Sequence, residues 1–110
     1  MPLTLTEKFT LHIPHSAFVN QKLLPIAHEA IEQALYDRFT MAGFSSWYTQ
    51  PAFGYYKGRQ YAETLVTLFC TPEQAKTVET IFRETITACK AQLQQESYAY
   101  ERNGKLVIIG

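Results

Sequence analysis

The stretch from residue 44 to residue 70 is the feature of this sequence that most limits the fold. It consists mostly of aromatic, β-branched and leucine residues, which favour extended strands, and it is interrupted by the turn signal Tyr56-Lys57-Gly58-Arg59. A two-residue turn at Lys57 and Gly58 pairs Tyr56 with Arg59, and every further pair follows by counting outward. The sequence therefore predicts a long hairpin of two antiparallel strands.

Hydrophobic periodicity predicts the elements before this hairpin. Residues 7–13 alternate between apolar and polar side chains, which is typical of a strand, and Pro14 ends the pattern. Apolar residues then recur at helical spacing, with acidic residues on the opposite side and Pro25 suited to the first turn. We expect a helix from about Leu24 to Phe39, joined to the first strand by a loop.

The residues after the hairpin predict a second helix and two short strands. Thr71-Pro72-Glu73-Gln74 has the pattern of a helix start, with Thr71 as the N-cap and Gln74 able to close a capping box. The helix that follows is expected to bury Ala75, Val78, Ile81, Phe82, Ile86, Cys89 and Leu93. Residues 96–100 and 105–109 predict strands on either side of the turn signal Asn103-Gly104.

This order of elements predicts a single α+β domain over residues 1–110. Strand, helix, hairpin, helix and strand with short connections is the pattern of a ferredoxin-like βαββαβ sandwich, here with a C-terminal β-hairpin. Right-handed crossovers then place the two helices on one face of an antiparallel sheet. The other face, called the open face below, is left bare in a monomer.

The hairpin register assigns residues to the two faces. The helix-side face is predicted to be core and carries Trp47, Phe53, Tyr55, Ala62, Val66, Leu68 and Cys70. The open face carries Tyr48, Gln50, Tyr56, Arg59, Tyr61, Glu63, Leu65 and Phe69, together with Thr10 and His12 from the first strand. Because Leu65 and Phe69 belong to a contiguous patch, we expect something to cover the open face. A second copy of the chain is the commonest cover, so we expect a homo-oligomer, with a dimer favoured.

Charge and hydropathy limit the other partners. Ten basic residues offset ten acidic ones, so no net field draws the chain to nucleic acid, and we expect no nucleic-acid partner. No apolar stretch approaches the ~20 residues that a bilayer requires, and no signal peptide pattern is present at the start, so we expect no membrane partner and a cytoplasmic location. Cys70 and Cys89 are predicted to lie too far apart for a disulfide and to be free and buried.

The ionisable residues carry no strong chemical signature. His12 and His15 straddle the end of a strand, where successive side chains diverge, and His28 is expected at the surface or its boundary, so we expect no metal site. Glu63 and Arg59 have the spacing of a structural cross-strand network. We therefore expect no catalytic residue and no cofactor.

Two resemblances bear on the fold. The run Gly54-Tyr55-Tyr56-Lys57-Gly58, followed by Glu63 in the next strand and by Gln94-Gln95-Glu96-Ser97-Tyr98 at the end of a helix, resembles a family of small bacterial ferredoxin-like domains with no established activity. A looser similarity is to PII-type nitrogen sensors, which bind nucleotides between subunits below a long loop. Here that loop is reduced to Lys57-Gly58. The resemblances imply the fold and leave the activity open.

Two classes of function remain open from the sequence. The first, which we favour, is a non-catalytic oligomeric domain that binds a small molecule or a protein on the open face. The alternative is a small cofactor-independent enzyme of the dimeric α+β barrel type, which requires a pocket in the concave side of the sheet with His12 and Glu63 pointing into one cavity. The candidate ligand-binding residues are Tyr48, Tyr56, Arg59, Tyr61, Glu63 and His12.

Overall fold

A computed structural model of the chain describes residues 3–93 and 98–109. Its larger sheet consists of the strands β1 (Glu7–Pro14), β4 (Tyr48–Tyr56), β5 (Arg59–Cys70), β6 (Tyr98–Arg102) and β7 (Lys105–Ile109). A separate hairpin is formed by β2 (Ser16–Val19) and β3 (Lys22–Pro25). The helices are α1 (His28–Met41), α2 (Ala75–Ala88) and the short α3 (Lys90–Leu93), and a 3₁₀ turn at Pro72–Gln74 precedes α2.

The five-stranded sheet has the order β4-β5-β1-β6-β7, and all of its neighbouring strands are antiparallel. The chain is thus an α+β protein in which β1 and β5 occupy central positions. The register Tyr56↔Arg59 in the β4–β5 hairpin is the predicted one. It is set by Lys57 and Gly58, whose positive φ angles of 50° and 75° match the twist of the two strands.

The core lies between the helices and one face of the sheet. Phe9, Leu11, Val66 and Leu68 point to this face and are almost fully buried. All seven residues predicted for the buried side of the second helix belong to the core. That helix begins as predicted, because the Gln74 side chain accepts a hydrogen bond from the backbone N–H of Thr71 at 3.0 Å, but it is divided at Cys89 into α2 and α3.

The prediction for the first helix was wrong at its start. The segment expected to be a loop forms the β2–β3 hairpin, which places Leu24 and Pro25 in a strand, and α1 begins at His28. The turn of this hairpin is Asn20-Gln21, where two non-glycine residues adopt φ angles of 51° and 66°. Asparagine tolerates this conformation better than most residues, and glutamine gives no turn signal in a sequence.

The expectation that Phe53 and Tyr55 are core residues was also wrong. Both lie on the helix-side face by register, yet they are 62% and 75% exposed. They sit near the tip of the β4–β5 hairpin, where the helices of the described part of the chain leave this face of the sheet uncovered. Trp47, which immediately precedes β4, does pack against the core, with its ring centroid 5.2 Å from that of Phe39.

The remaining predictions concern the cysteines and the last strands. Cys70 and Cys89 are free and buried, as expected. The last two strands begin at Tyr98 and Lys105, and the start predicted at Glu96 lies outside the described residues, as does most of the glutamine-rich run used for the family resemblance. Among the described residues, no helix is long and apolar enough to cross a membrane.

Candidate active site on the open face

The open face carries one cluster of ionisable side chains that spans three strands. His12 lies on β1, Glu63 on β5 and Glu101 on β6, and the observed register places all three on the side of the sheet away from the helices. The Nδ1 atom of His12 is 3.2 Å from Oε1 of Glu63, and its Nε2 atom is 2.7 Å from Oε2 of Glu101. One imidazole is therefore held between two carboxylates.

This arrangement determines the charge of the histidine. A neutral imidazole has one ring nitrogen without a proton, which would face a carboxylate with no hydrogen between them. A protonated imidazole donates to both carboxylates. The hydrogen bond to Glu63, assisted by that to Glu101, raises the pKa of His12 above its ordinary value of 6.5, although partial burial opposes the shift. The arrangement therefore favours the protonated, positively charged form of His12.

The cluster is accessible to a ligand. The side chains of His12, Glu63 and Glu101 are 25%, 21% and 40% exposed. On the β4 side, a Cβ atom added to Gly54 would stand 3.7 Å from the carboxylate oxygens of Glu63, so the glycine leaves that carboxylate open. Next to the cluster, Thr10 and Thr67 share a buried hydrogen bond of 2.9 Å between their hydroxyl oxygens.

The predicted site residues divide into three groups. His12 and Glu63 converge, which is one part of what the enzyme hypothesis requires; the other part is a shared cavity, and neither residue lines the two surface depressions described below. Tyr61 and Arg59 lie nearer the hairpin tip, where Phe18 from β2 packs edge-on against Tyr61 at 6.3 Å and the Arg59 guanidinium lies 5.8 Å from the Phe18 ring centroid. The Arg59–Glu63 network expected from sequence is thus replaced by separate contacts of each residue.

The two outer tyrosines do not belong to one compact site. Tyr48 pairs with Thr67 at one end of β4 and Tyr56 pairs with Arg59 at the other. They are eight positions apart along the strand, which is about 27 Å at ~3.4 Å per residue. A single small ligand on His12 and Glu63 cannot contact both tyrosines.

Glu101 is the residue of the cluster that sequence reasoning missed. The turn Asn103-Gly104 fixed its pairing with Leu106, but only the pairing of β6 with β1 brings it to His12. The two residues are 89 positions apart in the chain. The predicted ferredoxin-like sandwich places the last strand beside the first, but the sequence gives no register between them, and that register puts Glu101 opposite Thr10 on the open face.

A second group of ionisable residues lies on the helix side. The rings of His15 and His28 stack with centroids 3.7 Å apart, His15 Nε2 is 2.6 Å from the hydroxyl of Thr64, and His28 contacts Glu29 and Glu32 at 3.0 and 2.6 Å. Burial, together with the neighbouring His28, lowers the pKa of His15. His12 and His15 therefore diverge, as expected.

Neither group is arranged as a metal centre. Within residues 3–93 and 98–109, no three His, Cys, Asp or Glu side chains are placed to hold a metal ion. Two surface depressions lie elsewhere. One of about 410 Å³ is lined by Arg38, Arg83, Glu84, Thr87 and Ala88 between the helices, and one of about 220 Å³ lies near Leu5, Phe44 and Phe69.

Comparisons with known proteins give a likeness of fold. The sequence matches no protein-family profile and no curated protein sequence. Among solved structures, a phage SAM lyase in the apo state aligns with a TM-score of 0.60 at 12% identity, over 99% of this chain and 94% of that one. A phage SAM lyase in complex with S-methyl-5'-thioadenosine aligns with a TM-score of 0.57 at 12% identity, over 94% and 88% of the two chains. This chain shares the fold of those phage proteins.

Proposed function

We propose that the open face is a small-molecule site centred on His12, Glu63 and Glu101, and that its ligand is a cationic nucleoside of the SAM type. The observation that carries the proposal is the convergence of two carboxylates on one imidazole. With His12 protonated, the three side chains retain one net negative charge, which favours a cation. A SAM sulfonium supplies that cation, and the phage SAM lyases supply the precedent for such a ligand on a similar fold.

The neighbourhood of the cluster suits the rest of such a molecule. Tyr61 precedes Glu63 by two residues on the same face, so its ring lies one side-chain row away. An aromatic ring can stack on a base or face a sulfonium, since the π-face attracts cations. Gly54, opposite Tyr61, leaves room above that part of the sheet.

Two further proposals accompany the site. The strand order β4-β5-β1-β6 supports a ferredoxin-like sandwich to which β7 is added at one edge. The exposed apolar side chains of the open face, among them Phe69 and Leu106, support a homo-oligomer, with a dimer favoured. The oligomer is compatible with a small-molecule site only where its contact leaves His12, Glu63 and Glu101 accessible.

Calorimetric titration tests the ligand class. We expect SAM to bind the wild-type protein, and Glu63→Gln to weaken that binding at least tenfold because it removes a charge facing the sulfonium. Glu84→Gln is the matched control, since Glu84 is an exposed carboxylate on α2 and its loss should leave binding unchanged. S-methyl-5'-thioadenosine lacks the positive sulfur, so its affinity should respond little to Glu63→Gln. The absence of binding by both compounds would refute the ligand class.

A small cofactor-independent enzyme is the second candidate function. It is favoured by the position of His12, which holds Glu63 and Glu101 in place where a sulfonium would bind. In SAM the carbon–sulfur bond can break by attack of the molecule's own carboxylate on the carbon bound to sulfur. The electron pair then returns to sulfur, which leaves as the neutral thioether S-methyl-5'-thioadenosine, and a lactone is the second product.

We expect the protein to convert SAM to S-methyl-5'-thioadenosine and the lactone, which chromatography of the products measures. His12→Gln should lower the rate of conversion while SAM still binds, because the two carboxylates lose the group that positions them. Binding without conversion by the wild-type protein would leave the non-catalytic binding domain as the function.

A further inference from the structure

The two edges of the five-stranded sheet differ in their capacity to pair with another strand. β4 forms one edge and β7 the other. The pair of residues next to a two-residue turn is a hydrogen-bonded pair. Counting outward from the turn, the pairs of each hairpin then alternate between non-hydrogen-bonded and hydrogen-bonded ones. In β4 the closing residue is Tyr56, and the backbone groups of residues 49, 51, 53 and 55 point away from β5. Position 51 is a proline, which has no N–H to offer there.

The β7 edge has no such block. Its hairpin turns at Asn103 and Gly104, with φ angles of 52° and 79°, and closes on the pair Arg102↔Lys105. Lys105, Val107 and Ile109 therefore direct their backbone groups to β6. Leu106 and Ile108 direct theirs outward, and both have an N–H donor.

The side chains of the same two residues are also largely exposed to solvent. Leu106 is 60% exposed and Ile108 is 64% exposed, and both lie on the open face because they pair with Glu101 and Ala99. The edge strand β7 thus combines two features. Its outward backbone groups can pair with another strand, and its face carries two large apolar side chains at consecutive positions. A strand that adds to another sheet has both features.

The spacing of these residues makes β7 complementary to itself. If two copies of β7 pair in antiparallel fashion about a twofold axis at Val107, Leu106 of each copy lies opposite Ile108 of the other. Those are the residues with outward backbone groups, so both pairs are hydrogen-bonded pairs, and each also forms an apolar cross-strand contact. An isologous twofold contact requires this kind of self-complementarity.

The hairpin that carries β7 is held in place by its turn. The Asn103 N–H donates to the Lys8 carbonyl at 2.9 Å, and the Asn103 side-chain oxygen accepts from the Lys8 N–H at 2.8 Å. The side-chain NH₂ group of Asn103 also donates to the Glu7 carboxylate. A partner strand would therefore meet an edge that is already ordered, which lowers the entropic cost of pairing.

We propose that the protein dimerises by antiparallel pairing of β7 with β7 of a second copy, which joins the two sheets into one. The proposal goes beyond the ligand site and does not depend on it. Because the contact is edge to edge, the cluster of His12, Glu63 and Glu101 stays accessible in the dimer. A dimer in which one open face covers the other would bury that cluster.

Removal of one outward donor tests the pairing. Light scattering at micromolar concentration should give twice the 12.6 kDa mass of one chain for the wild-type protein. Ile108→Pro copies on β7 the block that Pro51 provides on β4, and it should yield monomers with an unchanged circular dichroism spectrum. Leu65→Arg, a change in the middle of the open face, should leave the edge dimer intact.

Disulfide trapping tests the axis and does not depend on a disruptive variant. Val107 would face itself across the twofold axis as a non-hydrogen-bonded pair, with Cα atoms about 4.5 Å apart, a distance that a disulfide spans. Val107→Cys should form a covalent dimer on oxidation, whereas Thr49→Cys on the β4 edge should not. A monomeric wild-type protein, equal trapping of the two variants, or dissociation by Leu65→Arg with Ile108→Pro still dimeric would overturn the proposal.

Discussion

The two faces of the central strands differ in what their side chains do, although they alternate along the same residues. On the helix side, Phe9 and Leu68 are fully buried and face each other across β1 and β5. On the open side, His12 and Glu63 are partly exposed and are held by hydrogen bonds. Burial of apolar area is the main source of stability on the helix side. On the open side, hydrogen bonds between ionisable side chains hold those side chains in position. The comparison shows how one sheet can place its apolar core on one face and an accessible cluster of ionisable side chains on the other.

The largest effect is expected on the helix side. Leu68→Ala removes a fully buried side chain from the core and should lower the free energy of unfolding by about 3–4 kcal/mol. Urea denaturation measures this loss. Leu65→Ala is the matched change three positions away on the open face, where the side chain is only partly buried, and it should cost about 1 kcal/mol. Equal losses for the two variants would show that the open face is as well covered as the core.

A smaller, pH-dependent effect is expected at the cluster. His12 has a raised pKa in the folded protein, so its contribution to stability is fully present below pH 6.5 and is lost as the pH rises through the raised pKa. Glu63→Gln should therefore cost about 1–2 kcal/mol below pH 6.5 and less in alkaline solution. Urea denaturation over a range of pH measures the difference between variant and wild type. A cost that is independent of pH would mean that Glu63 acts through packing alone.

The histidine on the other face provides the control for this effect. The pKa of His15 is lowered by burial, so its contribution is present above pH 6.5 and is lost as the pH falls through the lowered pKa. In nuclear magnetic resonance titrations, His12 should titrate at higher pH than His15. Glu63→Gln should lower the pKa of His12 and change that of His15 much less, since Glu63 has only a weak charge effect on it.

Local sequence patterns predicted much of this architecture. The features that were missed or predicted wrongly depend on weak local signals or on how distant segments of the chain lie relative to one another. The β4–β5 register follows from one turn, and the buried side of α2 follows from its periodicity. The β2–β3 hairpin was missed because each strand has four residues and its turn contains Asn20-Gln21. Glu101 was missed because the register between β6 and β1, which no local signal encodes, brings it to His12. The exposure of the hairpin tip depends on where the helices end above the sheet.

The next effect concerns the buried hydroxyl pair of the open face. Thr10 and Thr67 are 6% and 3% exposed and share one hydrogen bond. Thr10→Val or Thr67→Val alone leaves the other hydroxyl without this partner and should cost about 1 kcal/mol. The double variant should cost no more than either single variant, because two methyl groups then meet. A double-mutant cycle in urea measures the coupling, and strictly additive losses would show that the hydroxyls act independently.

The smallest effect is expected at the tip of the β4–β5 hairpin, where the helix-side face is not covered. Tyr55 lies on the same face as Leu68 and was predicted to belong to the core, but it is 75% exposed. Because little of its area is removed from water on folding, Tyr55→Ser should change the free energy of unfolding by less than about 0.5 kcal/mol. The same substitution at Trp47, which immediately precedes β4 and packs against Phe39, is the matched control and should cost several times more. If Tyr55→Ser instead destabilised a concentrated sample and had no effect in a dilute one, the exposed ring would lie in a contact between copies of the chain, because only an intermolecular contribution depends on protein concentration.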